Sequence, residues 1–192
     1  EFIAAPDATL TTVTVIDLRH PADPRSVCFN GSSSGFYMGR ESLYITAWVN
    51  PGDTVLHKFA LAEHTAEYRG SGRVPGFPGT GNPAFLMSEA QGVLRVFTQL
   101  PRTRAGDEEE LPEGEDRGIH RLTLMREAVD APELETVSQL PNAQRPEPIG
   151  KPEEQVYAVR YLGDRAYVVT FQLIDPLYVI DLADIGDPRI AG

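Results

Sequence analysis

The chain has 192 residues, a formal net charge of −11, a hydrophobic fraction of 41%, 17 Gly, 16 Pro and one Cys. That apolar content is ordinary for a packed globular protein and argues against disorder of the whole chain, and the acidic balance argues against a phosphate-tracking nucleic-acid surface or an anionic-membrane anchor. No run approaches the ~18 apolar residues that cross a bilayer, and the lone Cys28 excludes an intrachain disulfide, a Cys-rich zinc module and a CxxC redox centre.

Glu1 is not an initiator Met, and no charged-then-apolar leader follows it. The sequence therefore reads as a mature product or a piece of a longer one. In chain order, the first strand-like element ends in Val15-Ile16-Asp17-Leu18, followed after four residues by Asp23-Pro24-Arg25 and the run Arg25–Phe29. Next come Gly35–Met38, Ser42–Trp48, Leu56–Leu61 and Glu67–Arg69. A third group is Ala84–Met87, Val93–Leu100, Ile119–Leu124 and Leu134–Ser138. The fourth is Val156–Tyr161, Arg165–Phe171 and Val179-Ile180-Asp181-Leu182, with Asp187-Pro188-Arg189 after four residues.

The first and last groups thus share seven residues at the same internal spacing, the mark of an internal repeat. The runs are rich in β-branched and aromatic residues, and within each group the first two are joined by short polar links, Gly39–Glu41, Ser88–Gly92 and Gly163-Asp164, that suit tight hairpins. Four short antiparallel strands repeated every ~40–65 residues describe a β-propeller blade. The predicted fold is all-β, a single propeller segment over 1–192 with blade parts at 8–30, 33–75, 83–140 and 153–192. The near-continuous apolar run Tyr167–Phe171 predicts a strand buried on both faces. Lys58–Glu67 and Leu122–Ala131 also carry good helix propensity; the repeat alignment favours strand for their first halves and leaves room for a helical turn after each.

Val156–Phe171 followed by Asp175–Leu182 resembles the signature of a bacterial and archaeal family of secreted proteins with a C-terminal β-propeller domain distantly related to WD40 repeats. The resemblance is dense over 150–192 and looser over 12–100, and it leaves out the acidic stretch near 105–117. It implies a propeller fold and an extracytoplasmic place, secreted or attached to the cell surface. It carries no catalytic residues with it. About three and a half blades cannot close a ring, so the sequence predicts further blades in a parent protein or self-association of copies.

Gly31-Ser32-Ser33-Ser34-Gly35 satisfies the G-x-S-x-G pattern, which would make Ser33 a nucleophile. That motif needs a helix after it, and a strand-like run follows instead, so a loop is the better reading. His20, His57, His64 and His120 lack metal-ligand spacing, and His57 and His120 occupy equivalent repeat positions in different blades. Residues 107–116 hold seven carboxylates and no base, the composition of a solvated acidic loop spanning 105–117. Their order lacks the EF-hand pattern, so Ca²⁺ is not specified by spacing and no cofactor is expected. The Gly-rich stretches Gly70–Gly72 and Gly76–Gly81 are interrupted by prolines and no helix N-terminus is predicted after them, which argues against a dinucleotide loop. Asn30-Gly31-Ser32 forms a glycosylation sequon that reads better as a turn.

Arg160, Asp164, Asp175 and Asp181 remain as charges within the densest signature. Arg160 falls in the predicted innermost strand, near the central channel, and Arg160, Asp164 and Asp175 are the candidate ligand-binding residues. The reading is a non-enzymatic, extracytoplasmic binding or scaffolding module for a protein or small-molecule partner, with no nucleic acid and no direct membrane insertion. The alternatives are a quinoprotein-type dehydrogenase holding a quinone and Ca²⁺, and, more distantly, a serine hydrolase using Ser33. The single Trp48 and single Cys28 count against the dehydrogenase, a class that shows Trp-rich blade motifs and cysteine pairs.

Overall fold

A computed structural model describes residues 9–49, 52–78, 83–100, 120–150, 154–171 and 177–192. The acidic loop 105–117 and Asp175 lie outside the described residues. Among the described residues, fourteen strands and one short helix build a two-stranded sheet followed by three four-stranded sheets, every strand pairing within a sheet antiparallel and every neighbour sequential. The first sheet holds β1 (Leu10–Val15) and β2 (Arg25–Asn30). The second holds β3 (Gly35–Met38), β4 (Ser42–Val49), β5 (Asp53–Ala62) and β6 (Thr65–Pro75). Helix α1 (Pro83–Leu86) leads into the third, made of β7 (Met87–Ala90), β8 (Val93–Gln99), β9 (His120–Glu127) and β10 (Leu134–Leu140). The fourth is β11 (Gln155–Leu162), β12 (Arg165–Phe171), β13 (Leu177–Asp181) and β14 (Arg189–Ile190).

The third sheet shows why the strands read as apolar on both faces. Side chains alternate across a strand, so along β8 Leu94 and Val96 pack toward the second sheet while Val93 and Phe97 pack toward the fourth. Leu56, Tyr44 and Val74 meet Met125 and Leu134 in one core; Leu122, Leu124 and Leu140 meet Val159, Val168 and Ile180 in the other. The expectation that Tyr167–Phe171 is buried on both faces is corrected. Ala166, Val168 and Thr170 are buried against the third sheet, whereas Tyr167 and Val169 are half-buried and Phe171 is exposed. β8 has both faces covered, with Val93 to Thr98 all buried.

The two helix-prone segments are strand. Lys58 continues β5, which turns at Glu63-His64 into β6, and Leu122 lies within β9. Strand wins because each segment pairs on both sides, a tertiary gain that outweighs local propensity. The opposite correction holds at Ala84–Met87, expected as an inner strand. There α1 occupies 83–86, with Pro83 at the first helical position where its missing N–H is harmless, and the strand begins at Met87. The hairpin that follows turns at Gln91 and Gly92, both with positive φ (53° and 74°), the backbone of a two-residue hairpin turn.

The repeated motif has a local physical basis. Asp17 accepts the Arg19 amide at 2.9 Å, and Asp181 accepts the Ala183 amide at 3.0 Å, so each motif aspartate closes an Asx turn at the end of its strand. Asp181 also takes Arg189 of the motif at 3.1 Å. The returning strands nevertheless differ in register: Arg25 lies opposite Val15, whereas its counterpart Arg189 lies opposite Asp181.

Sheets are also joined by backbone. Ser71 donates to the Pro132 carbonyl at 3.2 Å, and Phe77 and Gln99 exchange amide hydrogen bonds of 2.9 and 2.8 Å. Thr98 and Thr54 hydroxyls donate to the carbonyls of Pro75 and Gly76, each at 2.7 Å, fixing the chain where it leaves β6.

Candidate functional site

A cavity of about 230 Å³ opens between the third and fourth sheets. Its walls come from α1, the end of β8 and the first half of β11, so first strands and the helix that precedes one of them shape it. Leu86, Phe97 and Val159 form a buried apolar floor. Phe85 (55% exposed) and Tyr157 (82% exposed) stand at the rim. Tyr157 owes its position to a bulge in β11 between Val156 and Ala158, which re-aims a side chain out of the ladder.

Arg160 lines this cavity. Its guanidinium carbon sits 4.5 Å from the centre of the Phe85 ring, a cation–π contact, and one of its amino groups donates to the Val159 carbonyl at 2.7 Å. Among the described lining residues it is the one charged group. Asp164 lies elsewhere, exposed in the β11–β12 turn, where its carbonyl accepts the Leu182 amide at 2.8 Å. The structure therefore does not bring Asp164 to the cavity that Arg160 lines.

A second concentration of polar chemistry lies between the second and third sheets. Lys58, with 6% of its side chain exposed, reaches Glu89 and Glu127 at 3.0 Å each. Glu89 also accepts the Tyr44 hydroxyl at 2.8 Å and the Ser42 hydroxyl at 3.1 Å, and Glu127 accepts Arg69 at 3.0 Å. Burial, with the hydrogen bond to Glu89, holds the Tyr44 phenol far above its ordinary pKa, so it remains a proton donor. Burial pulls Glu127 upward, but hydrogen bonds from Lys58 and Arg69 outweigh it and leave the carboxyl below its ordinary value. Each charge of the network has an opposite charge beside it, and together they clamp the second sheet to the third. Sequence reasoning missed it because the partners come from five strands.

At the third–fourth boundary a different cation plays the corresponding part. Arg95 donates to the Gly163 carbonyl at 2.8 Å and the Ser88 hydroxyl at 3.0 Å, and lies 5.2 Å from the Tyr161 ring centre. Burial raises the Tyr161 phenol as well.

Ser33 sits in the link between β2 and β3 with its hydroxyl donating to the Gly35 carbonyl at 3.4 Å. A strand follows it, so the strand–turn–helix context of a nucleophile elbow is not the one around Ser33. His57 and His120 lie in the third strands of adjacent sheets. His57 rests against Phe29 at 4.4 Å between ring centres, and burial lowers its pKa; the His120 Nδ1 lies 2.9 Å from the Ile149 carbonyl. His20 and His64 approach Asp17 at 3.1 and 3.7 Å on the surface. Among the described residues no group of three His, Cys, Asp or Glu is disposed to hold a metal ion. No helix of the described residues is long and apolar enough to cross a membrane.

Sequential four-stranded antiparallel sheets, each packed face to face on the next, define an all-β repeat protein of the propeller class. The sequence matches the beta propeller domain family over residues 2–192, and the chain belongs to that family. It is 32% identical over 108 residues to an uncharacterized protein of Methanocaldococcus jannaschii, covering 56% of this chain and 14% of the relative. It is 45% identical over 40 residues to an uncharacterized protein of Archaeoglobus fulgidus, covering 21% of this chain and 6% of that one. The chain thus spans a small part of the length of these relatives. No solved structure matches it.

Proposed function

We propose that this propeller is a non-enzymatic binding module whose ligand seat is the cavity beside Arg160. In this reading the module works outside the cytoplasm, secreted or attached to the cell surface, which the resemblance to secreted propeller proteins supports. One observation carries the binding reading: a cavity between two sheets combines a buried apolar floor with an oriented guanidinium at its rim, the composition of a small-ligand seat. The Thr98 hydroxyl is used on the Pro75 carbonyl, and Arg160 is the one charged group among the described lining residues, so it leads the recognition.

The experiment is a screen of small organic acids, amines and neutral compounds against the phenylalanine-labelled chain, observed by NMR. Binding at the seat shifts the Phe85 and Phe97 resonances and leaves Phe59, buried in the second sheet, unmoved. A library that shifts neither Phe85 nor Phe97 overturns the reading.

A further inference from the structure

We infer that the cavity selects a monoanionic carboxylate attached to a flat apolar body, an aryl-acid class of ligand; this rests on the reading of the cavity as a ligand seat. The argument begins with charge. The chain carries a net charge of −11, yet the described cavity wall holds one cation and no carboxylate. One amino group of Arg160 is occupied by the Val159 carbonyl. Its Nε and second amino group carry no hydrogen bond to any described residue. Together they form the edge of a guanidinium fork, which fits the two oxygens of a carboxylate. The Phe85 ring, 4.5 Å from the guanidinium carbon, fixes the plane of that fork before any ligand arrives.

Size and polarity settle the remainder of the ligand. A cavity of about 150 Å³ lined by apolar side chains accepts a benzene ring, and this one measures about 230 Å³ over a floor of Leu86, Phe97 and Val159. A dianionic phosphate would bring a second charge and further acceptor oxygens to a seat offering one cation and an apolar floor. A single carboxylate on an aromatic or flat aliphatic body leaves neither charge nor apolar surface unmatched.

The same chemistry has two sources, a free aryl acid or the C-terminal residue of a peptide ending in Phe. The test compares phenylacetate with phenylacetamide and phenethylamine, and an N-acetylated dipeptide ending in Phe with its C-terminal amide, by NMR titration of the Phe85 and Phe97 resonances. Phenylacetate is expected to bind at least about tenfold more tightly than the amide, the scale of a hydrogen bond to a charged group. Arg160→Gln removes that preference while the amide still binds, and Arg160→Lys, which keeps the charge without the fork, restores part of it. An unmoved Phe59 resonance shows that each variant is folded. If the peptide acid matches phenylacetate, the seat takes a free chain terminus; if only phenylacetate binds, it takes a small molecule. Equal affinity for acid and amide, or a preference that survives Arg160→Gln, overturns the aryl-acid assignment while leaving the seat intact. Failure of every compound to shift Phe85 overturns both.

Discussion

Lys58 on β5 lies 3.0 Å from Glu89 on β7, so an ion pair joins the third strand of one sheet to the first strand of the next. A second carboxylate, Glu127 on β9, stands at the same distance from the ammonium. The lysine is buried and Glu89 nearly so, which places the pair in the class whose rupture leaves an uncompensated charge.

Lys58→Met is accordingly expected to lower stability by about 3–5 kcal/mol. The double variant Lys58→Met with Glu89→Gln should recover much of that loss, because the stranded carboxylate is gone. Urea unfolding curves measure both. A single-variant loss under about 1 kcal/mol would mean that the pair behaves like a surface one.

Acid should weaken the fold in a defined window. Glu127, held below its ordinary value of 4.5, binds fewer protons folded than unfolded. Its contribution is complete above that value and disappears as pH falls through the depressed folded one. Asp17 and Asp181, lowered first by the Arg19 and Ala183 amides, and Asp187, lowered first by Arg145, act in the same direction from 3.8 downward. The urea midpoint should therefore fall on acidification from about pH 5 to pH 3. Lys58→Met should show a shallower fall, since its Glu127 is no longer as depressed.

Asparagine and alanine at position 181 should separate two roles of the motif aspartate. Asp181→Asn keeps an acceptor for the Ala183 amide and loses the charge that pairs with Arg189; Asp181→Ala loses both. Thermal midpoints should rank wild type above Asn above Ala, and the same order should hold at Asp17, where the Arg19 amide is the partner. Equal losses for Asn and Ala would remove the Asx turn from the explanation.

Gly70 marks where β6 passes against the third sheet. A Cβ there would collide with the carbonyl carbon of Pro132 and lie 2.5 Å from the Glu133 amide nitrogen, at a φ of +149°. Gly70→Ala should cost about 3 kcal/mol or more. Gly92→Ala, with a φ of +74° but open space around it, should cost about 1–2 kcal/mol. Chemical denaturation of the two variants gives the comparison.

Much of the fold was legible because the unit recurs. Val179-Ile180-Asp181-Leu182 and Val15-Ile16-Asp17-Leu18 both end a strand in an Asx turn before the chain returns, a local event that fixed spacing reports faithfully. The start of the third sheet was not legible, since Ala84–Met87 is apolar like a strand and four residues are too few for periodicity to tell helix from strand. The Lys58 clamp was illegible for another reason. Glu89 stands 31 positions away on a neighbouring sheet, and no spacing rule links residues across a stacking surface. Arg160 was singled out from its place in an inner strand, but its stacking on Phe85 came from the unforeseen helix. The separation of Asp164 from that cavity follows from its place in the turn beyond Leu162.

The reciprocal amide bonds of Phe77 and Gln99 bear on how the molecule would open. At Gly76 and Phe77 the chain, with Thr54 and Thr98 gripping the carbonyls on either side of Gly76's amide, cannot fray unless the edge it grips frays too. In heavy water the deuterium uptake of the Phe77 amide would keep pace with the interior of β8 rather than with surface turns, so the end of β6 and the end of β8 would open as one cooperative unit.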